Sequence, residues 1–122
     1  MILVDTSVWI DHLRRGDPQL VFALDAGEVL THPFVIGELA CGNLSARGAI
    51  LGLVRKLPAA QMATGDEVSD FIERRNLMGR GIGYVDVHLL ASIALTAGAR
   101  LWTRDKRLGA IAVELGKEQL SR

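Results

Sequence analysis

The strongest constraint on the fold is a set of apolar runs too short to be helices, each bounded by helical segments. Ile2-Leu3-Val4 stops at Asp5, Glu28-Val29-Leu30-Thr31 follows Gly27, and Arg100-Leu101-Trp102-Thr103 follows Gly98. Runs of three or four residues rich in branched and aromatic side chains suit buried strands. Between them lie segments with helical periodicity and recognisable stops. These are Val8 to Arg15, Gln19 to Ala26, Phe34 to about Leu44, Ala46 to Leu57, Asp66 to Met78, Tyr84 to Ala97 and Asp105 to about Gly116. Thr6 or Ser7 is placed to cap the first, Pro18 and Pro33 open others, and Ser45 starts the fourth. A weak strand is expected near Gln61-Met62-Ala63, and the polar tail from Lys117 to Arg122 is expected to fray. Strands alternating with helices predict an α/β fold with a mostly parallel central sheet flanked by helices. With right-handed crossovers, the strand ends meet at one edge, where ligands of open α/β sheets bind.

At 122 residues the chain is expected to form a single domain, 1–122, with a core of its own. Its hydrophobic fraction of 49% excludes disorder, and charges interrupt every apolar run before it reaches membrane-spanning length. No basic region precedes the first apolar run, so it does not read as a signal peptide. The one cysteine, Cys41, excludes an intrachain disulfide and a cysteine zinc site, and is expected to be a small buried apolar residue. The expected location is the cytoplasm. Fourteen Lys and Arg balance fourteen Asp and Glu, which at face value disfavours a nucleic-acid partner.

Four acids stand apart from the surface carboxylates. Asp5 follows the first strand directly, and Asp105 follows the last one. Glu38 shares a helix face with Phe34 and Cys41 and has no Lys or Arg at helical spacing. Asp86 shares a face with Leu89, Leu90, Ile93 and Ala97. Each has an ordinary reading: Asp5 as a helix cap, Asp86 as a first-turn acid, and Asp105 as a partner of its basic neighbours. As a set they raise a different question. An ionised carboxylate on an apolar face is costly unless paired or metal-bound, and four converging carboxylates repel one another. A hard divalent cation such as Mg²⁺ or Mn²⁺ resolves that conflict, and metal-activated water attacking a phosphodiester is chemistry suited to it.

The blocks carrying these acids resemble a PIN domain. They are Ile2-Leu3-Val4-Asp5-Thr6-Ser7-Val8-Trp9-Ile10, Val35-Ile36-Gly37-Glu38-Leu39, Gly83-Tyr84-Val85-Asp86-Val87-His88-Leu89-Leu90-Ala91 and Thr103-Arg104-Asp105-Lys106-Arg107-Leu108. Four blocks in order span nearly the whole chain. Among PIN proteins the sequence is most similar to the VapC group of toxin ribonucleases from toxin–antitoxin systems. The resemblance implies a Mg²⁺- or Mn²⁺-dependent endoribonuclease in which Asp5, Glu38, Asp86 and Asp105 are the metal-site acids. It places Ser7 and Thr103, and less directly Thr6, as supporting polar groups. It also implies a homodimer and a VapB-like antitoxin that blocks the active site. Thr103 and Arg104 supply none of the additional acid that some PIN proteins carry there.

Arg80, Arg104, Lys106 and Arg107, with Arg74 and Arg75, are candidate contacts to RNA phosphates; singly, each reads as a solvated surface charge. His12, His32 and His88 are expected in surface or packing roles, and Trp9 and Trp102 in the core. Two other readings compete. A Mg²⁺-dependent phosphoacceptor of the receiver type needs an acidic pair after the first strand, and Asp5 stands there alone before Thr6. A PIN-fold binding module without cleavage would tolerate loss of the acids, and all four are present. Set those four aside, and fourteen basic against ten acidic residues leave +4. The neutral total thus conceals an acidic centre in a mildly basic chain, which suits RNA held by its phosphates and predicts salt-sensitive binding.

Overall fold

The computed structural model describes residues 1–118. Three strands, β1 (Ile2–Val4), β2 (Val29–Leu30) and β3 (Arg100–Trp102), form an all-parallel sheet in the order β2-β1-β3. Ile2 and Leu3 lie opposite Val29 and Leu30 on one side, and Ile2 to Val4 lie opposite Arg100 to Trp102 on the other. Seven helices complete the described residues: α1 (Thr6–Arg15), α2 (Pro18–Asp25), α3 (Pro33–Cys41), α4 (Arg47–Lys56), α5 (Gly65–Arg75), α6 (Tyr84–Leu95) and α7 (Lys106–Glu114). The result is the α/β architecture expected from the alternation of strands and helices.

Local chemistry sets the boundaries. Asp17 caps α2 by accepting from the N–H groups of Gln19 and Leu20, and Pro18 needs no donor at the first helical position. A reciprocal capping box between Thr64 and Glu67 starts α5, and Asn76 in the left-handed region ends it, three residues earlier than periodicity predicts. Gly27 and Gly98, both at positive φ, turn the chain into β2 and β3. Ala46, itself left-handed, precedes α4 with no side-chain cap, so Ser45 does not play the expected part. The weak strand expected at Gln61–Ala63 is absent. A single parallel bridge joins Ala59 to Thr31 instead, made by Thr31 N–H to the Pro58 carbonyl and Ala60 N–H to the Thr31 carbonyl. Strand β2 is correspondingly shorter than the expected 28–31. In the tail, Lys117 accepts from Leu101 N–H and Glu118 bridges β3; residues 119–122 lie outside the described residues.

Leu3 and Val4 are fully buried, and Val87 through Ile93 of α6 are buried without interruption. Helix α6 is therefore the central helix of the core, packed on β3 and on α5. Trp9 and Trp102 lie in that core, as expected. Among the described residues, no helix is long and apolar enough to cross a membrane. Because all strands run the same way, the ends of β1 and β3 deliver Asp5 and the Thr103–Asp105 segment to one edge. Chains leave β1 towards neighbours on opposite sides, which places the crevice of such sheets beyond β1.

Candidate active site

Asp5 is the hub. It is 6% exposed, at the end of β1, with its backbone N–H still bonded to the Trp102 carbonyl. Oδ1 accepts from Thr6 N–H at 2.9 Å, so Asp5 is the cap of α1, the role the sequence assigned to Thr6 or Ser7. Oδ2 accepts from the Ser7 hydroxyl at 2.8 Å and from the Thr103 hydroxyl at 2.7 Å. Three donors hold this one buried carboxylate in a single orientation.

The same hydroxyls reach the next acid. Thr103 Oγ1 accepts from Asp105 N–H at 3.0 Å, and Asp105 in turn caps α7 through the N–H groups of Arg107 and Leu108. A relay of N–H, hydroxyl and carboxylate thus ties the β3–α7 turn to the end of β1. Ser7 Oγ accepts from Arg104 N–H at 3.0 Å and strengthens the same junction. Across the crevice, the Thr6 hydroxyl donates to Glu38 Oε1 at 2.7 Å. Thr6, assigned a supporting part by the sequence, is the link between α1 and the acid on α3.

Asp86 accepts from Gly83 N–H at 3.2 Å, which is the ordinary first-turn arrangement. It is also half-buried and pushed above the usual carboxylate range. Burial is the largest cause, and the charges of Asp5, Asp105 and Glu38 add to it against the Gly83 hydrogen bond. The four acids therefore share one field. Ion pairs among the described residues lie elsewhere, and none joins these four to a Lys or Arg. No described residue donates to Oε2 of Glu38, Oδ1 of Asp86 or Oδ2 of Asp105.

The basic residues divide differently from the sequence expectation. Arg80 pairs with Glu114, and Arg104 pairs with Asp11 and Asp17 while lying 5.6 Å from the Trp102 ring centroid. Arg74 is paired with Asp70. Lys106 and Arg107 are exposed in the first turn of α7, beside Asp105, and the Arg107 guanidinium lies across Gly81. A helix start attracts anions, so cations there extend an anion-favouring surface. Cys41 is exposed at the end of α3, not buried as expected, because Gly42 stops the helix in extended backbone three residues early.

The histidines are structural. His12 Nδ1 accepts from Asp17 N–H, and His32 is fully buried as the cap of α3. An aromatic ladder went unread in the sequence. Tyr84 packs edge-on against His88, His88 against Phe34, and Phe34 against His32. Its available signal was the i,i+4 spacing of Tyr84 and His88.

A parallel three-stranded sheet with Asp5 and Asp105 after two of its strands, and with Glu38 and Asp86 on helices in the same electrostatic field, defines an α/β domain of nuclease type. The family model described as PIN domain matches residues 2–114. Relatives named Ribonuclease VapC32, from two strains of Mycobacterium tuberculosis, are 53% identical over 116 residues, covering 95% of this chain and 94% of theirs. The chain belongs to the PIN domain family, on its VapC-type branch.

Proposed function

We propose that this chain is a metal-dependent endoribonuclease, the toxin of a toxin–antitoxin pair, with Asp5, Glu38, Asp86 and Asp105 as its metal-site acids. Its substrate is RNA, its cation Mg²⁺ or Mn²⁺, and its inhibitor a VapB-like antitoxin. It works as a homodimer of single-domain chains. The observation that carries the reading is the field around Asp86, a half-buried carboxylate acted on by the charges of three others, with none of the four ion-paired to a described Lys or Arg. Family membership and the relatives' name support the reaction class.

The donor set fits a hard cation. It is carboxylate oxygen without imidazole or thiolate, and three carboxylate oxygens are left without a described donor. Among the described residues, no three His, Cys, Asp or Glu side chains are gathered closely enough to hold a metal ion by themselves; Mg²⁺ keeps several waters and is held through one or two carboxylates. A bound divalent ion supplies water of lowered pKa and offsets charge on the phosphate.

The chain's own residues do the positioning. Ser7, Thr103 and Thr6 N–H hold Asp5 in one orientation. The Thr6 hydroxyl fixes one oxygen of Glu38 and leaves the other to the crevice. Burial of Asp86 and Asp5 lowers the local dielectric and strengthens their pull on a cation. Lys106 and Arg107 offer positive charge to the RNA backbone beside this centre.

Cleavage of single-stranded and structured RNA with Mn²⁺ or Mg²⁺ tests the reading, with EDTA as the blank. Asp5→Asn, with Asp86→Asn as a second variant, is expected to lose on the order of 100-fold or more in rate. Undiminished cleavage by both variants rejects the assignment of the acids. Cleavage unaffected by EDTA rejects the metal.

A further inference from the structure

The acidic centre opens sideways onto an apolar groove between α3 and the start of α6, lined by Phe34, Gly37, Glu38, Cys41, Tyr84 and Val85. Glu38 belongs to both the centre and the groove. Tyr84 is 57% exposed, two residues before Asp86, or about 3 Å along the helix axis. An exposed aromatic ring is normally mobile, but this one is braced. Its ring centroid lies 4.6 Å from that of His88, which is buried and lies 4.6 Å from that of Phe34. The floor is open because Gly37 has no side chain, and a Cβ there would meet nothing within 4 Å. Glycine inside a helix is unfavourable, and nothing in the packing of α3 requires it.

We propose that Tyr84 is a stacking platform for the unpaired RNA base adjoining the bond that is cut, with the space over Gly37 as the seat of that base. The inference rests on the ribonuclease reading above and deepens it. No Lys or Arg lines the groove and its one charge is the Glu38 carboxylate, so phosphate is excluded from it and an uncharged flat group is favoured. Continuity through Glu38 means that RNA held by phosphate at the acids has its neighbouring base beside the Tyr84 ring. Base–aromatic stacking tolerates any base but requires one that is unpaired and splayed out. The groove therefore selects loops and single strands over duplex.

The test is steady-state cleavage of a short single-stranded RNA of mixed sequence in Mn²⁺, together with its anisotropy-measured affinity. Wild type is compared with Tyr84→Phe, Tyr84→Ala and Gly37→Leu. Tyr84→Ala is expected to lose about 5- to 150-fold in affinity and in kcat/KM, the range for one stacked base, whereas Tyr84→Phe stays within about twofold. Gly37→Leu keeps or raises Tm because leucine favours helix, yet loses binding because its side chain occupies the seat. An RNA made abasic next to the mapped cut should lose as much with wild type and nothing further with Tyr84→Ala. Equal affinity and kcat/KM for Tyr84→Ala and wild type overturns the inference, as does an abasic RNA cut as well as the intact one. In either case the groove serves another occupant, such as a peptide. Failure of wild type to cut any RNA sinks the ribonuclease reading instead, and the affinity series then still decides the stacking.

Discussion

Acidification should loosen this fold through His32, and the size of the effect follows from its surroundings. The ring is fully buried. Its Nδ1 accepts from Phe34 N–H at 3.0 Å to cap α3, which leaves the proton on Nε2 to donate to Ser92 Oγ, also at 3.0 Å. A second proton on Nδ1 would face an N–H and break the cap. Burial, helped by the nearby His88, accordingly lowers the His32 pKa from 6.5 to about 4. A base whose pKa is depressed by folding binds its proton more readily in the unfolded chain. Stability is then complete above about pH 6.5 and is lost as pH falls from there towards 4. At 1.36 kcal/mol per pH unit, the full gap corresponds to roughly 3 kcal/mol. Only part of that gap is spent at pH 5, where on the order of 2 kcal/mol should be gone. That is a large share of a typical domain stability of about 5–15 kcal/mol. His32→Asn keeps an oxygen to cap α3 and cannot titrate in this range. Urea unfolding at pH 7 and pH 5 in EDTA should show the wild type losing about 2 kcal/mol more than this variant. His88, also held down by burial, contributes to both slopes and cancels. Equal slopes for the two proteins would refute the reasoning.

Three shorter predictions concern the site. Asp86→Asn removes one charge from a repelling set, so it should raise the metal-free Tm by about 2–6 °C and abolish the Tm rise on adding Mg²⁺; scanning calorimetry in EDTA checks this, and a lower Tm contradicts it. Thr103→Val strips Asp5 and Asp105 of a shared hydroxyl and should cost about 1–3 kcal/mol in urea unfolding, with Thr103→Ser close to wild type; a Val variant of full stability would mean that the relay contributes nothing. Cys41, being exposed, should react with Ellman's reagent in the folded protein at close to the rate of a small thiol, and a rate limited by unfolding would return it to the interior.

Much of this was legible, and the exceptions have physical reasons. The run Ile2–Val4 announces a buried strand because three branched apolar residues end at a charge, and the four acids stand out as a set because two follow strands and two lie on apolar helix faces. The capping of α1 was misread because a carboxylate has two oxygens: Asp5 gives Oδ1 to the helix and keeps Oδ2 for Ser7 and Thr103. Long-range pairings carry no local trace. Arg80 meets Glu114 and Arg104 meets Asp17 across 34 and 87 residues, so two cations offered to RNA by sequence are already balanced. The expected strand at 61–63 failed because the actual bridge uses the backbone on either side of Ala59, which side-chain pattern does not report. The end of α5 slipped because Asn76 took left-handed backbone without being glycine, and the end of α3 because Gly42 is extended.

The single bridges at Ala59 and Glu118 have a bearing on what the sheet can recruit. Ala59 lies against the outer side at β2, and Glu118 against the outer side at β3. Each occupies the hydrogen-bonding groups through which a parallel sheet would otherwise recruit another strand. A sheet of three short strands is thereby fenced at both margins. Extension of the sheet from one copy into the next is hindered at these two points. The surfaces left open to other molecules at these margins are helical, and they can change in sequence without disturbing the strand ends that carry Asp5 and Asp105.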